Sequence, residues 1–178
     1  IVIFLCDQLR RDALACYGDP NIHTPNIDRI AAEGARCTNA VSTYPVCIPY
    51  RFTLMTGESA HTRLVNALGW RMSPAERTLA DELNAAGYET LYVGKWHLYG
   101  GSVFLPGYSA RHEGVKPVPR AFQGRWTHWR GFELRNAPFD TYTFVDDDPT
   151  PRKLPGYQTD GLTDIALDFL ANDRDRDK

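Results

Sequence analysis

Short apolar runs typical of β-strands alternate along this chain with segments that carry helix-capping residues. Apolar residues dominate positions 1–6, 35–41 and 88–93. The first run is continuous, which is typical of a strand buried on both faces of a parallel sheet. Strands that alternate with helices in this way predict an α/β sandwich with a mainly parallel sheet.

Three predicted helices begin at recognisable caps. The caps are Thr24-Pro25, the capping box Ser73-Pro74-Ala75-Glu76, and Thr159-Asp160. Gly34 and Gly87 are expected to end the first two helices. The apolar residues expected to face the core are Ile27, Ile30 and Ala31, then Leu79, Leu83 and Ala86, and finally Leu162, Ile165, Ala166, Phe169 and Leu170.

Length and composition predict a single globular domain. The chain has 178 residues, 43% hydrophobic and 24% charged, which is enough to bury one sizeable core. A net charge of -2 gives no general attraction to nucleic acid or to an anionic membrane, and no apolar run approaches the roughly 20 residues of a membrane span. The four cysteines lack the spacing of a zinc site or a disulfide framework. We therefore expect neither nucleic acid nor membrane as a partner.

The segment from Tyr44 to Gly57 concentrates residues that can do chemistry. Cys47 lies two residues before Pro49 and four before Arg51. Because proline is favoured in the first turn of a helix, Cys47 is expected just outside a helix N-terminus. Unpaired N–H groups there stabilise a thiolate or a bound anion. The alternative is that Cys47 is simply a small buried hydrophobe.

Two further groups follow predicted strands, at the carboxyl ends where ligands gather in open α/β sheets. Asp7 and Gln8 follow the first run, and their hard oxygen atoms suit calcium or magnesium. Lys95 and His97 follow the third strand, where they would neutralise an oxyanion and move a proton. A turn-capping aspartate, a solvated lysine and a packed histidine are the structural alternatives.

Two of these segments resemble the signatures of the sulfatase family in the alkaline phosphatase superfamily. One is Cys-x-Pro-x-Arg at 47–51, followed after four residues by Thr-Gly, and the other is Gly-Lys-Trp-His-Leu at 94–98. They stand in the family's order and at about its spacing, and the helix that begins at Thr24 is also similar. Tyr50 departs from the pattern, because the family usually has a small residue there.

The resemblance implies an alkaline phosphatase-like fold and hydrolysis of a sulfate ester. Cys47 would be converted to formylglycine, whose hydrate is the nucleophile, and Asp7 and Gln8 would hold calcium or magnesium together with that side chain. Arg51 would stabilise the attacking oxygen. Lys95 would bind the sulfate, and His97 would hydrogen-bond the formylglycine.

The segment 99–157 lacks periodicity and is rich in glycine, proline and aromatic residues. We predict a core at 1–98, a loop-rich insertion at 99–157 and a core helix at 158–171. Cations and rings are interleaved in the insertion, including Arg111 and His112, and they favour an anionic or sugar-like ligand such as a sulfated small molecule or glycan over nucleic acid. His61 is a candidate substrate contact, and Thr141 to Val145 is a candidate strand. Asp146 to Asp148 fit a solvated turn or a cation site.

We expect the chain to be the N-terminal part of a larger protein, because it begins abruptly within a predicted strand. The family takes a second acidic pair, another lysine and another histidine from downstream sequence, so this piece is expected to be inactive without the remaining C-terminal part. The compartment is left open. A phosphonate monoester or phosphodiester hydrolase of the same superfamily, or a non-catalytic relative with unmodified Cys47, are the alternative functions.

Overall fold

The computed structural model describes residues 1–65, 69–100 and 116–177. The chain forms two compact units, Ile1–Ser42 and Thr43–Lys178. Arg111 and His112 lie outside the described residues. None of the helices built from the described residues is both long and apolar enough to cross a bilayer.

The first unit contains one α-helix and two short 3-10 turns, Arg11–Ala13 and Ala15–Tyr17. Helix α1 (Pro25–Glu33) begins and ends where the sequence predicts, with Thr24 as N-cap and Gly34 as C-cap. The hydroxyl of Thr24 donates to the carboxylate of Asp28 at 2.9 Å, and the N–H of Asp28 donates to the Thr24 carbonyl at 2.8 Å. The local capping signal therefore identifies this helix correctly.

The two strands predicted for the first unit are wrong. Residues 1–6 and 35–41 are not strands, and no ladder among the described residues includes them. Ile1 and Phe4 are 87% and 73% exposed. Ile27 and Ile30 of α1 are also exposed, against the predicted buried face. An apolar run shows which residues favour burial, but it does not supply the neighbour that would bury them.

In its described residues, the second unit packs three helices with one four-stranded sheet. The helices are α2 (Cys47–Thr56), α3 (Leu79–Ala85) and α4 (Gln158–Asp168), the last continued by a π-helical turn at Phe169–Asp173, and a 3-10 turn lies at Arg120–Phe122. The strands are β1 (Leu91–Lys95), β2 (His128–Phe132), β3 (Tyr142–Val145) and β4 (Asp148–Lys153).

The sheet has the strand order β1-β2-β3-β4 and is mixed. Strands β1 and β2 are parallel, with Leu91 opposite His128 and Lys95 opposite Phe132. The β2-β3 and β3-β4 pairs are antiparallel. The α/β class is therefore as predicted, but the described sheet is not mainly parallel, because the strands after β2 are joined by short connections that favour antiparallel pairing.

Three strands lie in the segment that the sequence presents as loops. Strand β3 confirms the candidate at Thr141 to Val145, whereas β2 and β4 were not predicted. The alternation in β2 is too short to be distinctive, and β4 contains Pro149 and Pro151, which disfavour a strand. The turn between β3 and β4 is fixed by Asp146, whose carboxylate accepts hydrogen bonds from the Trp129 N–H at 2.7 Å and the Arg130 guanidinium at 2.9 Å. The division of the chain into core and insertion stays a prediction.

The predicted capping box of the second helix is wrong by five residues. Ser73 caps a tight turn, and α3 begins at Leu79 after a box formed by Thr78 and Asp81. The Asp81 carboxylate accepts the Thr78 N–H at 2.6 Å and is bound by Arg125, which also donates to the carbonyls of Pro74 and Glu76. These contacts hold the chain from Pro74 to Thr78 in place just before the helix. The Arg125 hydrogen bond holds the pKa of Asp81 at about 2, below its ordinary value of 3.8.

Among the described residues, one hydrophobic cluster joins side chains of α2, α3, β2 and the segment that follows β1. Its fully buried members include the large side chains of Phe52, Trp96 and Trp129. Ala80 contributes the buried position of α3, while Leu79 packs against the core from the side and Ala86 is exposed. In α4, Phe169 is buried at its C-terminal end but Leu170 is 40% exposed, so the predicted apolar stripe is only partly covered.

Candidate active site

Helix α2 places Cys47 at its first position. Val46 is the N-cap, with an extended backbone, and Pro49 is the third residue of the helix. Cys47 is therefore inside the helix by one residue, where the sequence predicts it just outside. The half-buried side chain still lies in the first turn, where the N–H groups that lack helical partners give a positive potential. Gly57 ends the helix in the left-handed conformation with φ 72°, and its N–H donates to the Thr53 carbonyl at 2.8 Å.

The position of α2 is set by the apolar side chains on one of its faces. Ile48, Phe52 and Met55 are 0%, 0% and 5% exposed, and their spacing of four and three residues puts them on one side of the helix. Arg51 lies beside them and is only 6% exposed. Burial of this face fixes the orientation of the helix and hence the position of its first turn.

The second signature lies at the end of β1. Gly94 has φ 105°, a conformation that glycine adopts without strain, and Lys95 is the last residue of the strand. The next two residues continue the backbone hydrogen bonding with β2 and the residue after it. The Trp96 N–H donates to the Phe132 carbonyl at 2.7 Å, and the His97 N–H donates to the Glu133 carbonyl at 2.9 Å. His97 is 4% exposed and left-handed at φ 53°, so strand alternation does not set its direction relative to Lys95.

The structure brings Cys47 and Lys95 into contact. The Lys95 Nζ donates to the Cys47 Sγ at 3.5 Å, across 48 residues of sequence. An ammonium group thus lies beside the end of the Cys47 side chain. The arrangement offers positive charge from Lys95 and from the helix N-terminus at one point, which is the requirement for binding an anion.

Arg51 contacts the backbone at the end of β1. Its Nη1 donates to the carbonyl of Lys95 and, at 3.2 Å, to the hydroxyl of Tyr92. The Tyr92 hydroxyl donates to the same Lys95 carbonyl. The guanidinium therefore joins α2 to β1 at the residue whose ammonium contacts Cys47. Its predicted role beside the attacking oxygen stays a prediction.

Sequence reasoning missed two residues that organise this region. One is Tyr92. A tyrosine in an apolar strand predicts a hydrogen-bond partner nearby, because a buried tyrosine hydroxyl needs one. Glu133 is the other, a 2% exposed residue whose two carboxylate oxygens accept the Tyr99 N–H at 3.0 and 3.1 Å. No local pattern identifies Glu133, because its partner lies 34 residues away.

The remaining site candidates are Asp7, Gln8 and His61. Asp7 and Gln8 are exposed residues of a turn in the first unit, with Gln8 at φ 57°, and their metal-binding role stays a prediction. His61 is exposed in the second unit, and its ring packs against Tyr44 with centroids 5.3 Å apart. Its contact with substrate also stays a prediction. Within the described residues, no group of three or more His, Cys, Asp or Glu side chains is placed to hold a metal ion.

Comparison of the sequence with known proteins gives one consistent family. The ulvan-active sulfatase of Formosa agariphila is 34% identical over 170 residues, which cover 96% of this chain and 31% of that protein. The N-acetylglucosamine-6-O-sulfatase of Bacteroides thetaiotaomicron is 30% identical over 178 residues, which cover 100% of this chain and 28% of that protein. This chain thus spans about a third of the length of these relatives.

Solved structures agree with the sequence comparison. A protein solved in complex with its substrate D-glucosamine-2-N,6-O-disulfate superposes with a TM-score of 0.72 and 31% identity, over 94% of this chain and 30% of that one. The Bacteroides fragilis protein yidJ gives a TM-score of 0.83 at 25% identity, over 97% of this chain and 40% of that one. The predicted alkaline phosphatase-like α/β fold is therefore confirmed.

The family model of the sulfatases matches residues 1–178, the whole of the chain. This match and the relatives confirm the resemblance carried by the segments 47–51 and 94–98. The chain belongs to the sulfatase family.

Proposed function

We propose that the protein containing this chain hydrolyses sulfate esters, with a nucleophile derived from Cys47. The observation that carries the proposal is the 3.5 Å contact between Lys95 Nζ and Cys47 Sγ in the first turn of α2. Relatives named as sulfatases support it. Because the chain spans about a third of those relatives, the activity is proposed for the complete protein, including a C-terminal part that supplies further site residues.

Conversion of Cys47 to formylglycine would give the site its nucleophile. The hydrated aldehyde would offer two hydroxyl groups on one carbon, one to attack sulfur and one to expel sulfate as the aldehyde re-forms. The first turn of α2 favours the anionic form of such a group and the anionic ester beside it.

The chain's own side chains have separate roles in this proposal. Lys95 binds a sulfate oxygen and stabilises negative charge that develops next to the nucleophile. Arg51 donates a hydrogen bond to the Lys95 carbonyl, and we propose that it also stabilises the attacking oxygen. His97, almost fully buried after β1, orients the second hydroxyl group and takes up its proton, for which an imidazole has a suitable pKa range.

Asp7 and Gln8 are proposed to bind calcium or magnesium. Their donor chemistry fits, since a carboxylate and a neutral amide oxygen are hard ligands. A complete site needs more oxygen ligands than these two, and we propose that downstream residues provide them. A bound divalent cation would supply charge neutralisation for the sulfate oxygens. The modified Cys47 side chain as a further ligand stays a prediction from the family resemblance.

We propose a sulfated carbohydrate as the substrate class. The names of the relatives include an ulvan-active and an N-acetylglucosamine-6-O-sulfatase, and one solved relative binds a disulfated glucosamine. Tyr44 precedes Cys47 in the sequence and His61 follows it, and the rings of Tyr44 and His61 pack together. Such a pair of rings is suited to contact a sugar ring. An anionic sugar also matches the cationic Lys95.

The test of the nucleophile is mass spectrometry of the tryptic peptide Cys37 to Arg51, from protein made together with a formylglycine-generating enzyme. We expect a mass decrease corresponding to replacement of a thiol by an aldehyde, located by fragmentation at Cys47. Cys37 in the same peptide is the internal control and should keep its thiol. Conversion at Cys47 should then accompany hydrolysis of an aryl sulfate by the complete protein, with weaker hydrolysis of an aryl phosphonate.

The matched variant is Tyr50→Ser, which restores the small residue that the family usually has. If Cys47 stays a thiol in the wild type but is converted in the variant, Tyr50 blocks the modification and the non-catalytic alternative is favoured. If neither protein is converted, the formylglycine mechanism is contradicted. Conversion of both with preferential phosphonate turnover would favour the other hydrolase of the superfamily.

A further inference from the structure

The hydroxyl of Tyr92 lies at the junction of the two signature segments. It accepts a hydrogen bond from Arg51 Nη1 at 3.2 Å and donates one to the carbonyl of Lys95. Arg51 Nη1 donates to that carbonyl as well, so the three groups form a closed triangle. One corner belongs to α2 and the other two to β1.

The ring of Tyr92 is held by three tryptophans. It stacks on Trp129 with centroids 4.9 Å apart and planes at 15°, and it meets Trp96 edge-on at 5.1 Å and 86°. Trp126 contacts it at 5.5 Å. Trp96 and Trp129 are fully buried. These contacts fix the ring whether or not it carries a hydroxyl, because they depend on its faces and edges.

The triangle affects the site through the Lys95 carbonyl, to which Arg51 and Tyr92 both donate. The same residue extends its ammonium to within 3.5 Å of Cys47 Sγ. Movement of the Lys95 backbone would move the ammonium away from Cys47, because the side chain moves with the backbone that carries it. Two side-chain donors on one carbonyl restrain this movement.

We propose that Tyr92 is a positioning residue, whose hydroxyl holds Lys95 in place against the nucleophile at position 47. The catalytic role of this contact rests on the proposed function, but the proximity of Lys95 to position 47 can be measured without turnover. Tyr92 does not contact the reacting atoms in this proposal. It acts through Arg51 and the carbonyl of Lys95.

The test uses o-phthalaldehyde, which condenses with an amine and a thiol that lie side by side to give a fluorescent isoindole, with release of two waters. The protein is made without a formylglycine-generating enzyme, so Cys47 keeps its thiol. The rate of isoindole formation between Cys47 and Lys95 then reports their proximity. Cys47→Ala gives the background, and peptide mapping identifies the linked pair.

We expect Tyr92→Phe to slow this reaction about fivefold, the effect of losing one hydrogen bond. Tyr88→Phe is the matched control, because it removes a hydroxyl from a tyrosine that is 45% exposed just before β1, and it should react at the wild-type rate. A wild-type rate in Tyr92→Phe would overturn the proposal, even if the variant unfolds at a lower temperature. Such a result would assign the hydroxyl to stability alone.

A second variant covers the case in which Tyr92→Phe folds poorly. Arg51→Lys keeps the charge but removes the planar fork that reaches both Tyr92 and the Lys95 carbonyl. By itself it should also slow isoindole formation, and a wild-type rate in Arg51→Lys would contradict the triangle. If Tyr92→Phe folds, the two effects should be less than additive in the double variant, because both side chains act on one carbonyl. Absence of sulfate ester hydrolysis by the complete protein would contradict the proposed function and leave this test unaffected.

Discussion

The cap of α3 provides a stability test whose size follows from the structure. Asp81 accepts the N–H and the hydroxyl of Thr78 at 2.6 and 3.0 Å and is bound by the guanidinium of Arg125. The Arg125 hydrogen bond, followed by those of Thr78, lowers the pKa of Asp81 from 3.8 to about 2. Each pKa unit corresponds to about 1.4 kcal/mol of preference for the ionised form in the folded state.

The expected contribution of the ionised carboxylate is about 2 kcal/mol after a discount for solvent, since Asp81 is 21% and Arg125 41% exposed. We expect Asp81→Asn to lower the free energy of unfolding by that amount at pH 7, which is a fall of about 4–8 °C in Tm for a domain of this size. The pKa is lower in the folded state, so this stabilisation is present above the unfolded pKa. It is lost as the pH falls through the folded pKa, with about half gone at pH 3 and most at pH 2.

The assay is urea unfolding of wild type and variant at pH 7 and pH 3. The difference between the two proteins should shrink by about half at the lower pH, because the wild type then loses the contribution that the variant lacks. Asp164→Asn, an exposed aspartate of α4 with the same change in chemistry, should differ little from wild type at either pH. A difference between wild type and Asp81→Asn that stays constant with pH would refute the assignment to the ionised carboxylate.

Two substitutions test the packing that orients the site, both by urea unfolding at pH 7. Phe52→Ala removes a fully buried ring from α2 and should lower the free energy of unfolding by about 3–5 kcal/mol. Phe139→Ala, at a residue 71% exposed, is its control and should change stability little. Gly131→Ala should cost about 1–3 kcal/mol, because a Cβ there would lie 2.6 Å from the Trp129 ring and 3.0 Å from the Gly94 carbonyl. Wild-type stability in either core variant would contradict the packing described for β1, β2 and α2.

Local signals in the sequence were sufficient for several elements. Thr24-Pro25 identified the start of α1 because a cap and the first turn are satisfied within a few residues. Pro49 identified the start of α2 to within one residue, and the strand that leads to Lys95 was found near its true position. The two signature segments identified the family, since a motif of fixed residues depends on no long-range contact.

Other features depend on contacts between distant parts of the chain. The box of α3 lies at Thr78 and Asp81 because Arg125, 44 residues later, binds Asp81 and the preceding turn. Strand β2 has only a short alternation and β4 contains two prolines, and both form because neighbouring strands pair with them. The exposed residues 1–6 show the converse, since an apolar run without a ladder is not a strand.

The residues of the candidate site, Cys47, Arg51, Lys95 and His97, are recognisable from the sequence in their family order. Their contacts are not, because the approach of Lys95 to Cys47 and the meeting of Tyr92 and Arg51 at the Lys95 carbonyl appear only in the folded chain. Side-chain contacts across more than 40 residues depend on how α2 and β1 pack against a shared core, and no local pattern records that packing.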